Sequence, residues 1–524
     1  MIPLPHKTDF TSAAKWALPL LILALAVLVY GLYGFGDVLL RDYSIYLYSG
    51  QRLAEGIPPY VSVFDHKGPL SPMLAGLGVM LSQQLSWDDV LTVRLVFFAT
   101  GCLTVVAVYL LGKSVFRSQT VGFFGALTFL GFYAYAQAAA SGPEPKTPMI
   151  LFQALSLLFT VQKRWFWAGL FGSLAFLVWQ PMAVFPLVTF ILAAARPGGE
   201  RYGAALRTLA GIAVPLAATV AYFYYYDALG EFLNGFIVFN VLYLVRGSMW
   251  FVWHVAGAVG VVASTYSTML LPIIIGLVMI VRLYFLRPYE YRFAPILLSF
   301  PGPILFSLRD FQLADDFYVF LPYVAIGFGA FLGLAIQRAR NPRLVTGILG
   351  AVLLTVALAN TFDEINAVSA SALKGTTISL NQQREGAEEI EDSLGKDARL
   401  ASINSPQILV LLHRVNPNPY LWITAGVDQE IAAETPGGFE GWLQGLEASN
   451  LDAISFFGEG QSLLPSAHMM SEHYQELDRW LDRRYHAEKI GPWWLFVKDS
   501  LTSETDRRAS IENRLEEASP GSAG

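Results

Sequence analysis

Long apolar stretches recur along roughly the first 360 residues and are separated by short polar segments. A backbone inside a bilayer must satisfy its own hydrogen bonds, and about 20 apolar residues are enough for a helix to cross the hydrocarbon. The pattern therefore predicts an α-helical polytopic membrane protein. We expect about eleven transmembrane helices, near residues 14–34, 90–111, 120–140, 147–162, 165–179, 181–195, 204–226, 255–281, 293–308, 317–336 and 344–361.

The composition agrees with a membrane protein and excludes an ordinary soluble one. Hydrophobic residues make up 54% of the 524 residues and charged residues 15%, whereas a soluble domain carries about 25% charged residues. The single cysteine, Cys102, lies in an apolar run and can form no internal disulfide. We interpret it as a small core residue.

Basic residues are grouped between alternate spans, which predicts the orientation of the chain. The first apolar run is followed by no small-x-small cleavage site and is interpreted as an uncleaved span. With a cytoplasmic N-terminus, every inner segment carries at least two basic residues: Lys7 with Lys15, Lys113 with Arg117, Lys163 with Arg164, Arg196 with Arg201 and Arg207, Arg282 with Arg287 and Arg292, and Arg338 with Arg340 and Arg343. The C-terminal segment is then extracytoplasmic.

Two outer segments are too long to be simple connections. The first outer loop, 35–89, contains two helical stretches at 42–55 and 69–85, which we expect along the membrane surface. The second, 227–253, ends in Trp250 and Trp253 and is predicted to be an interfacial amphipathic helix.

The chain changes character after residue 361. Residues 1–361 hold 22 Lys and Arg against 15 Asp and Glu, whereas residues 362–524 hold 13 against 26. Strand-like "ARLASI", "NLDAISFFG" and "WWLFVKD" alternate with helical "GWLQGLEASN" and "MMSEHYQELDRWLDRRY". We therefore predict a membrane domain over 1–361, an acidic extracytoplasmic α/β domain over 362–503 and a disordered tail over 504–524.

Ionisable residues gather on the predicted outer side rather than in the middle of the spans. This distribution favours chemistry at the outer lipid–water boundary, since transporters keep such residues near the bilayer midplane. The group comprises Asp37, Arg41, Asp42, Asp65, His66, Lys67, Glu144, Lys146, Arg246, Arg309, Asp310, Asp315 and Asp316.

The stretch "RDYSIYLYSGQRLAEGIPPYVSVFDHKGPL" supplies the strongest candidates. Asp42 begins a predicted helix, where it is either a functional carboxylate or a helix cap. Lys67 stands before a Gly-Pro turn, either as a phosphate-binding cation or as a lysine that reaches lipid headgroups. His66 is more readily explained by a structural hydrogen bond than by metal ligation, because no second histidine lies at ligand spacing.

Two further outer segments carry charge. Glu144 and Lys146 lie between three prolines in "SGPEPKTPM", which predicts either a rigid functional turn or an exposed loop with two solvated charges. Arg309 in "FSLRDFQLADDFYVFLP" suits bidentate phosphate recognition, with an ion pair to Asp310 or Asp316 as the alternative.

Taken in order, Asp42, "EG-x-PPY", "FDHKGPL", a series of spans and "FYVFLP" resemble the membrane-embedded GT-C glycosyltransferases. The resemblance covers residues 14–340. It is strongest to the branch that holds protein O-mannosyltransferases, the lipid A aminoarabinose transferase and prokaryotic polyprenyl-phosphate-sugar mannosyltransferases. Two positions depart from the pattern, because Tyr43 stands where many relatives have Glu, and Gly68 where many have a second proline.

The resemblance implies a role for each candidate residue. Asp42 corresponds to the general base, and Lys67 and Tyr318, with Arg309 close by, to the site for the lipid-linked phosphate. The remaining outer residues are candidates for substrate binding: Asp65, His66, Glu144, Lys146 and Asp310. Residues 35–89 lack the Asp-x-Asp metal motif of the oligosaccharyltransferase branch, so we expect no metal or other cofactor.

The implied activity is inverting transfer of a sugar, such as the hexose mannose, from a polyprenyl phosphate to an acceptor on the outer face of the cell membrane. The expected partners are the lipid donor, a glycan, lipid or protein acceptor, and membrane lipids, with no nucleic acid. Alternatives are a lipid or solute transporter, or a non-catalytic envelope-assembly subunit, with an outer receptor domain. The scarcity of charge at the predicted midplane counts against a transporter.

Overall fold

The computed structural model describes residues 12–244, 251–286, 290–308, 311, 314–373, 378–423, 426–458 and 473–499. Several residues named in the sequence analysis lie outside these ranges, as does the tail over 504–524: Lys7, Arg246, Trp250, Arg287, Arg309 and Asp310.

The membrane part of the described chain is helical throughout. Its first ten helices are α1 (Ser12–Gly31), α2 (Arg41–Ala54), α3 (Leu70–Leu85), α4 (Asp89–Phe116), α5 (Gln119–Leu130), α6 (Tyr133–Ser141), α7 (Lys146–Val161), α8 (Trp165–Val178), α9 (Val184–Ala194) and α10 (Glu200–Tyr225). They are followed by α11 (Leu229–Leu233), α12 (Phe251–Thr265), α13 (Leu270–Leu286), α14 (Ala294–Ser299), α15 (Pro301–Ser307), α16 (Leu321–Gln337) and α17 (Pro342–Leu373).

The helical membrane architecture agrees with the prediction, whereas the count of eleven spans is not confirmed. Within the described ranges, five helical stretches are long and apolar enough to cross a membrane, and the pair α5 and α6, bent by 68°, makes a sixth if it is counted as one span. Other apolar helices, including α7 and α8, are 10–17 residues long.

Two of the predicted spans are broken close to prolines. The span expected at 255–281 is split by a 3₁₀ turn at Ser267–Met269, and Pro272 just beyond it cannot donate a backbone hydrogen bond to a continuing helix. The span expected at 293–308 is split between α14 and α15, where Pro301 opens the second helix. A hydropathy window does not detect such breaks, because it averages over them.

The two helices predicted in the first outer loop are present as α2 and α3, with ends within a residue of the prediction. The second outer segment differs from the single helix predicted over 227–253. It contains α11 and two π-helical turns, Asn234–Val238 and Asn240–Leu244, and its described end from Phe251 onwards belongs to α12.

Close helix crossings depend on glycine, as at the contact between α13 and α16. A Cβ added to Gly276 would lie 2.4 Å from the Val324 carbonyl oxygen, and one added to Gly327 would lie 2.3 Å from the Gly276 carbonyl oxygen. The two backbones therefore approach directly, as is typical of helix pairs in membranes.

The C-terminal part is an α/β unit, as predicted. It contains α18 (Leu380–Leu394), β1 (Leu400–Ser402), α19 (Gln407–Leu411), α20 (Val427–Glu434), α21 (Gly438–Ala448), β2 (Ala453–Gly458), α22 (Tyr474–Asp482), β3 (Tyr485–Ile490) and β4 (Trp493–Lys498). The sheet order is β1-β2-β4-β3, with β1 parallel to β2 and the other pairs antiparallel. Strand β3 is absent from the prediction, which placed its first residue, Tyr485, at the end of a helix.

The α/β unit packs directly on α2. Apolar residues of α2, among them Leu47 and Tyr48, share one buried cluster with Ile408 and Leu409 of α19. The Asn416 backbone N–H donates to Tyr48 Oη at 2.8 Å, and Gln51 Nε2 donates to the Val410 carbonyl at 3.1 Å. The helix that carries Asp42 is therefore held between the membrane part and the α/β unit.

Candidate active site

Asp42 lies in the first turn of α2 and does not cap it. The residue before the helix is Leu40, and no side chain caps this end. The Asp42 carboxylate instead accepts from Arg41 Nε at 3.0 Å, with a second Arg41 nitrogen at 2.9 Å. The capping alternative is therefore wrong, and the Asp42 side chain remains 48% exposed and accessible to a substrate.

Neighbouring cations keep Asp42 ionised. Burial of the surroundings raises the pKa of Asp42, but Lys67 and, after it, Arg41 lower it, so that it lies below the usual value of an aspartate. Among the charges that lower the pKa of Asp42, Lys67 has the largest effect, although it is 25 positions away in the sequence. The structure thus brings together the two residues that the sequence ranks highest.

The segment that carries Lys67 is fixed by its own polar groups. Asp65 Oδ1 accepts from the backbone N–H of His66 at 2.7 Å and of Lys67 at 3.1 Å. Tyr60 Oη donates to the Lys67 carbonyl at 2.6 Å. The His66 ring lies 5.3 Å from the ring of Trp422, which belongs to the α/β unit. Asp65 and His66 therefore shape this turn.

Gly68 lets the segment lie directly against α8. Its N–H donates to the Val178 carbonyl at 3.0 Å, and a Cβ at this position would lie 1.9 Å from the Leu177 carbonyl oxygen. A side chain here would push the Lys67 segment away from α8. This contact gives a physical reason for glycine at a position where many GT-C enzymes have proline.

The Lys67 ammonium lies over the ring of Tyr46, 5.7 Å from its centroid. Among the residues that the structure describes, no carboxylate lies within ion-pair distance of it. Burial lowers the pKa of Lys67, but Asp42 and then Glu144 raise it above the usual value. Lys67 is thus a charged ammonium held near carboxylates without being paired to one.

Glu144 and Lys146 are both only 8% exposed, so the alternative of a loop with two solvated charges is wrong. Lys146 Nζ lies 2.5 Å from Asp315 Oδ2 and 2.6 Å from Asp316 Oδ1, and 5.4 Å from the centroid of the Trp179 ring. The Lys146 charge is therefore committed to two carboxylates, which makes it a weaker phosphate ligand than Lys67.

The Glu144 carboxyl group has an unusually high pKa. Burial and the nearby Asp315 raise the pKa of Glu144 to about 7, against the opposing effect of Lys146 and Lys67. Its Oε1 accepts from the Lys146 backbone N–H at 3.1 Å.

Tyr318 lies in the same 3₁₀ segment, Ala314–Phe320, as Asp315 and Asp316. Its hydroxyl donates to the Ala134 carbonyl at 2.8 Å, and its ring contacts Tyr135 edge to face at 5.3 Å. A hydroxyl has one hydrogen, so Tyr318 donates to a phosphate only after it leaves Ala134. The roles predicted for Arg309 and Asp310 lie outside the described residues.

Two features of the site are missing from the sequence prediction. The first is the pairing of Lys146 with Asp315 and Asp316, since the sequence suggests Arg309 as the partner of Asp316. The signal that the sequence offers for this pairing is a lysine in one predicted outer segment and two adjacent aspartates in another. The second is a pair of amide side chains, Gln180 and Asn240, on the Lys67 segment. Neutral amides leave no charge pattern.

Within the described parts of the chain, no three His, Cys, Asp or Glu residues are grouped so that they could hold a metal ion.

The fold is that of the GT-C class of membrane glycosyltransferases, in agreement with the resemblance seen in the sequence. ArnT from Cupriavidus metallidurans in the apo state matches with a TM-score of 0.61 at 13% identity, over 94% of this chain and 100% of that one. ArnT bound to undecaprenyl phosphate gives 0.58 at 14% identity, with the same coverage of 94% and 100%.

An archaeal enzyme shares the fold. The Archaeoglobus fulgidus oligosaccharyltransferase, tethered with an acceptor peptide, matches with a TM-score of 0.52 at 14% identity, over 91% of this chain and 73% of that one. No family model and no curated protein match the sequence. At these identities the likeness establishes the fold.

Proposed function

We propose that the chain transfers a sugar from a polyprenyl-phosphate-linked donor to an acceptor on the outer face of the membrane. The observation that supports the proposal is the half-exposed Asp42 near the charged Lys67, which has no ion-pair partner among the described residues, in a chain with the fold of the GT-C enzymes. A base and a phosphate-binding cation are the two groups that this reaction needs.

The reaction is a single displacement at the anomeric carbon. Asp42 takes the proton from an acceptor hydroxyl, whose oxygen forms the new bond to that carbon. The bond from the carbon to the phosphate oxygen breaks, and polyprenyl phosphate leaves with the electron pair. Lys67, with Arg309, stabilises the charge that develops on this phosphate. Attack from the side opposite to the leaving group inverts the configuration.

Chemistry and the shared fold support the donor and acceptor classes that we propose. One GT-C structure holds undecaprenyl phosphate and another holds an acceptor peptide. For this chain we propose a polyprenyl-phosphate hexose such as mannose as donor, and a glycan, lipid or protein as acceptor. No metal is needed for the displacement as written.

Comparison of envelope glycans tests the proposal in cells. A strain that lacks the chain is expected to lose one glycan modification and to accumulate the matching polyprenyl-phosphate sugar, measured by mass spectrometry. Restoring the parent gene returns both to normal, whereas the Asp42→Asn gene does not. Unchanged glycans and unchanged lipid-linked sugars in the deletion strain would remove the basis for a transferase.

The orientation of the chain is also a proposal, with the N-terminus cytoplasmic and the α/β unit extracytoplasmic. We expect Gln444→Cys, at an exposed position of α21, to react with a membrane-impermeant thiol reagent on intact cells. Gln119→Cys, exposed at the start of α5, is expected to react only after permeabilisation. The native Cys102 is buried and gives a low background. The reverse labelling pattern would invert the topology.

A further inference from the structure

Two side-chain amides meet at the carbonyl of His66, the residue before Lys67. Gln180 Nε2 and Asn240 Nδ2 each donate to this oxygen at 2.8 Å. Gln180 opens the 3₁₀ turn Gln180–Ala183 after α8, and Asn240 begins the π-helical turn Asn240–Leu244. The two donors thus come from distant parts of the chain, and they use both lone pairs of one carbonyl.

Each amide also donates to the backbone at residues 235–236, which is distant in sequence from Gln180 and belongs to the same helical segment as Asn240. Gln180 Nε2 also donates to the Phe236 carbonyl at 2.8 Å, and Asn240 Nδ2 to the carbonyls of Gly235 at 3.1 Å and Phe236 at 3.2 Å. Neither amide can rotate away from His66 without loss of a second hydrogen bond. The contact at His66 is therefore better defined than a single surface hydrogen bond.

The position of this carbonyl helps to set the direction in which the Lys67 side chain leaves the backbone. The His66 carbonyl and the Lys67 N–H belong to one planar peptide unit, which ends at the Lys67 Cα. Asp65 Oδ1 accepts from the N–H end of that unit at 3.1 Å, and the two amides hold its carbonyl end. The next peptide unit is held as well, because Tyr60 Oη donates to the Lys67 carbonyl at 2.6 Å and the Gly68 N–H donates to the Val178 carbonyl at 3.0 Å. With the units on both sides of the Lys67 Cα fixed, its Cα–Cβ bond has one direction, and only the side-chain rotamers stay free.

We infer that Gln180 and Asn240 are positioning residues for the Lys67 ammonium. The inference rests on the proposed function, in which Lys67 meets the lipid phosphate. A misplacement of about 1 Å in a reacting group lowers the rate by a large factor. A phosphate-binding ammonium carried by a loop, such as that of Lys67, therefore needs such support. Both residues are neutral donors, which suits a carbonyl partner, whereas a carboxylate in their place would repel it.

A readout without lipid tests the positioning itself. The variants Gln180→Met and Asn240→Leu keep the side-chain volume and lose the donor. We expect each to speed the acylation of Lys67 by a soluble amine-reactive reagent about fivefold, a factor that corresponds to the net free energy of about one hydrogen bond. Peptide mass spectrometry on the full-length protein measures the rate. Asn360→Leu is the matched control, because Asn360 is a buried amide that donates to the Gly131 carbonyl at 2.9 Å, and it is expected to leave the rate unchanged.

A double-mutant cycle tests whether the amides act through Lys67. With undecaprenyl phosphate as the probe, each single variant is expected to bind about 5- to 20-fold more weakly than the parent. In a Lys67→Ala background the same changes are expected to have no further effect, because coupled residues are not additive. A purely structural role would give equal losses in both backgrounds and would overturn the inference.

The two readouts separate failure of the inference from failure of the proposed function. Unchanged Lys67 acylation in folded Gln180 and Asn240 variants contradicts the positioning role, whatever the lipid result. Faster acylation, with a parent protein that does not bind undecaprenyl phosphate, supports the positioning and contradicts the phosphate site. Where Asn240→Leu fails to fold, Gln180→Met alone carries the test, because it removes the other donor to the same carbonyl.

Discussion

The Asp42→Asn protein is expected to fold normally and to lose about 10²- to 10⁴-fold in turnover, the usual contribution of a general base. Asparagine keeps the size of the side chain and can still accept from Arg41, but it cannot take a proton from the acceptor. Because Lys67 and Arg41 hold the pKa of Asp42 below its usual range, Asp42 is ionised throughout pH 5 to 8. The loss is therefore expected across that whole range.

The same helix offers a matched control for this substitution. Glu55, the residue that follows α2, pairs with Arg52 three positions earlier, and its side chain is 48% exposed, as is that of Asp42. Glu55→Gln is expected to keep turnover within a few-fold, since the amide oxygen can still accept from the buried Arg52 and the change removes no group that we place at the reacting centre. If Asp42→Asn behaved like Glu55→Gln, the base would have to be sought elsewhere, first at Glu144.

The second large effect is expected at the phosphate. Lys67→Ala should lower donor turnover roughly 30- to 150-fold, because a cation beside a developing phosphate charge in a partly dry site contributes about 2–3 kcal/mol. Arg309→Ala is expected to have a comparable effect. The measurement is turnover of a purified polyprenyl-phosphate sugar at several donor concentrations. Lys67→Arg keeps the charge and is expected to retain part of the activity.

Lys113 provides the control for the lysine. Its ammonium lies 5.6 Å from the centroid of the Tyr109 ring, a contact like that of Lys67 with Tyr46, but on the side of the chain that we assign to the cytoplasm. Lys113→Ala is expected to leave turnover nearly intact. If Lys67→Ala and Arg309→Ala matched the parent within a few-fold, Lys67 would only reach lipid headgroups, and the phosphate site would have to be placed elsewhere.

Local pattern was sufficient to predict the framework of the site. The helix that starts at Arg41 and the one that starts at Leu70 follow from apolar spacing and from the Gly-Pro turn between residues 68 and 69. Both lie in a stretch of about 30 residues, so Asp42 and Lys67 could be linked without knowledge of distant contacts. The change of charge after residue 361 likewise marked a separate α/β unit, although α17 continues to Leu373.

Partners far apart in sequence could not be predicted in the same way. Lys146 has carboxylates available on several outer loops, and only the packing of α7 against the segment Ala314–Phe320 selects Asp315 and Asp316. Gln180 and Asn240 resemble any other interfacial amide until the chain is folded. The breaks in the predicted spans were missed for another reason, since a proline removes a backbone donor with little change in mean hydropathy.

The most direct test of the account is release of polyprenyl phosphate by the purified full-length protein. The parent protein is reconstituted in liposomes and incubated with a panel of polyprenyl-phosphate hexoses and an extract of envelope acceptors. Free polyprenyl phosphate is then measured by mass spectrometry. We predict acceptor-dependent release that Asp42→Asn abolishes and Glu55→Gln leaves intact. Movement of the intact lipid-linked sugar across the membrane without its cleavage, for every donor in the panel, would contradict the account and support a transporter.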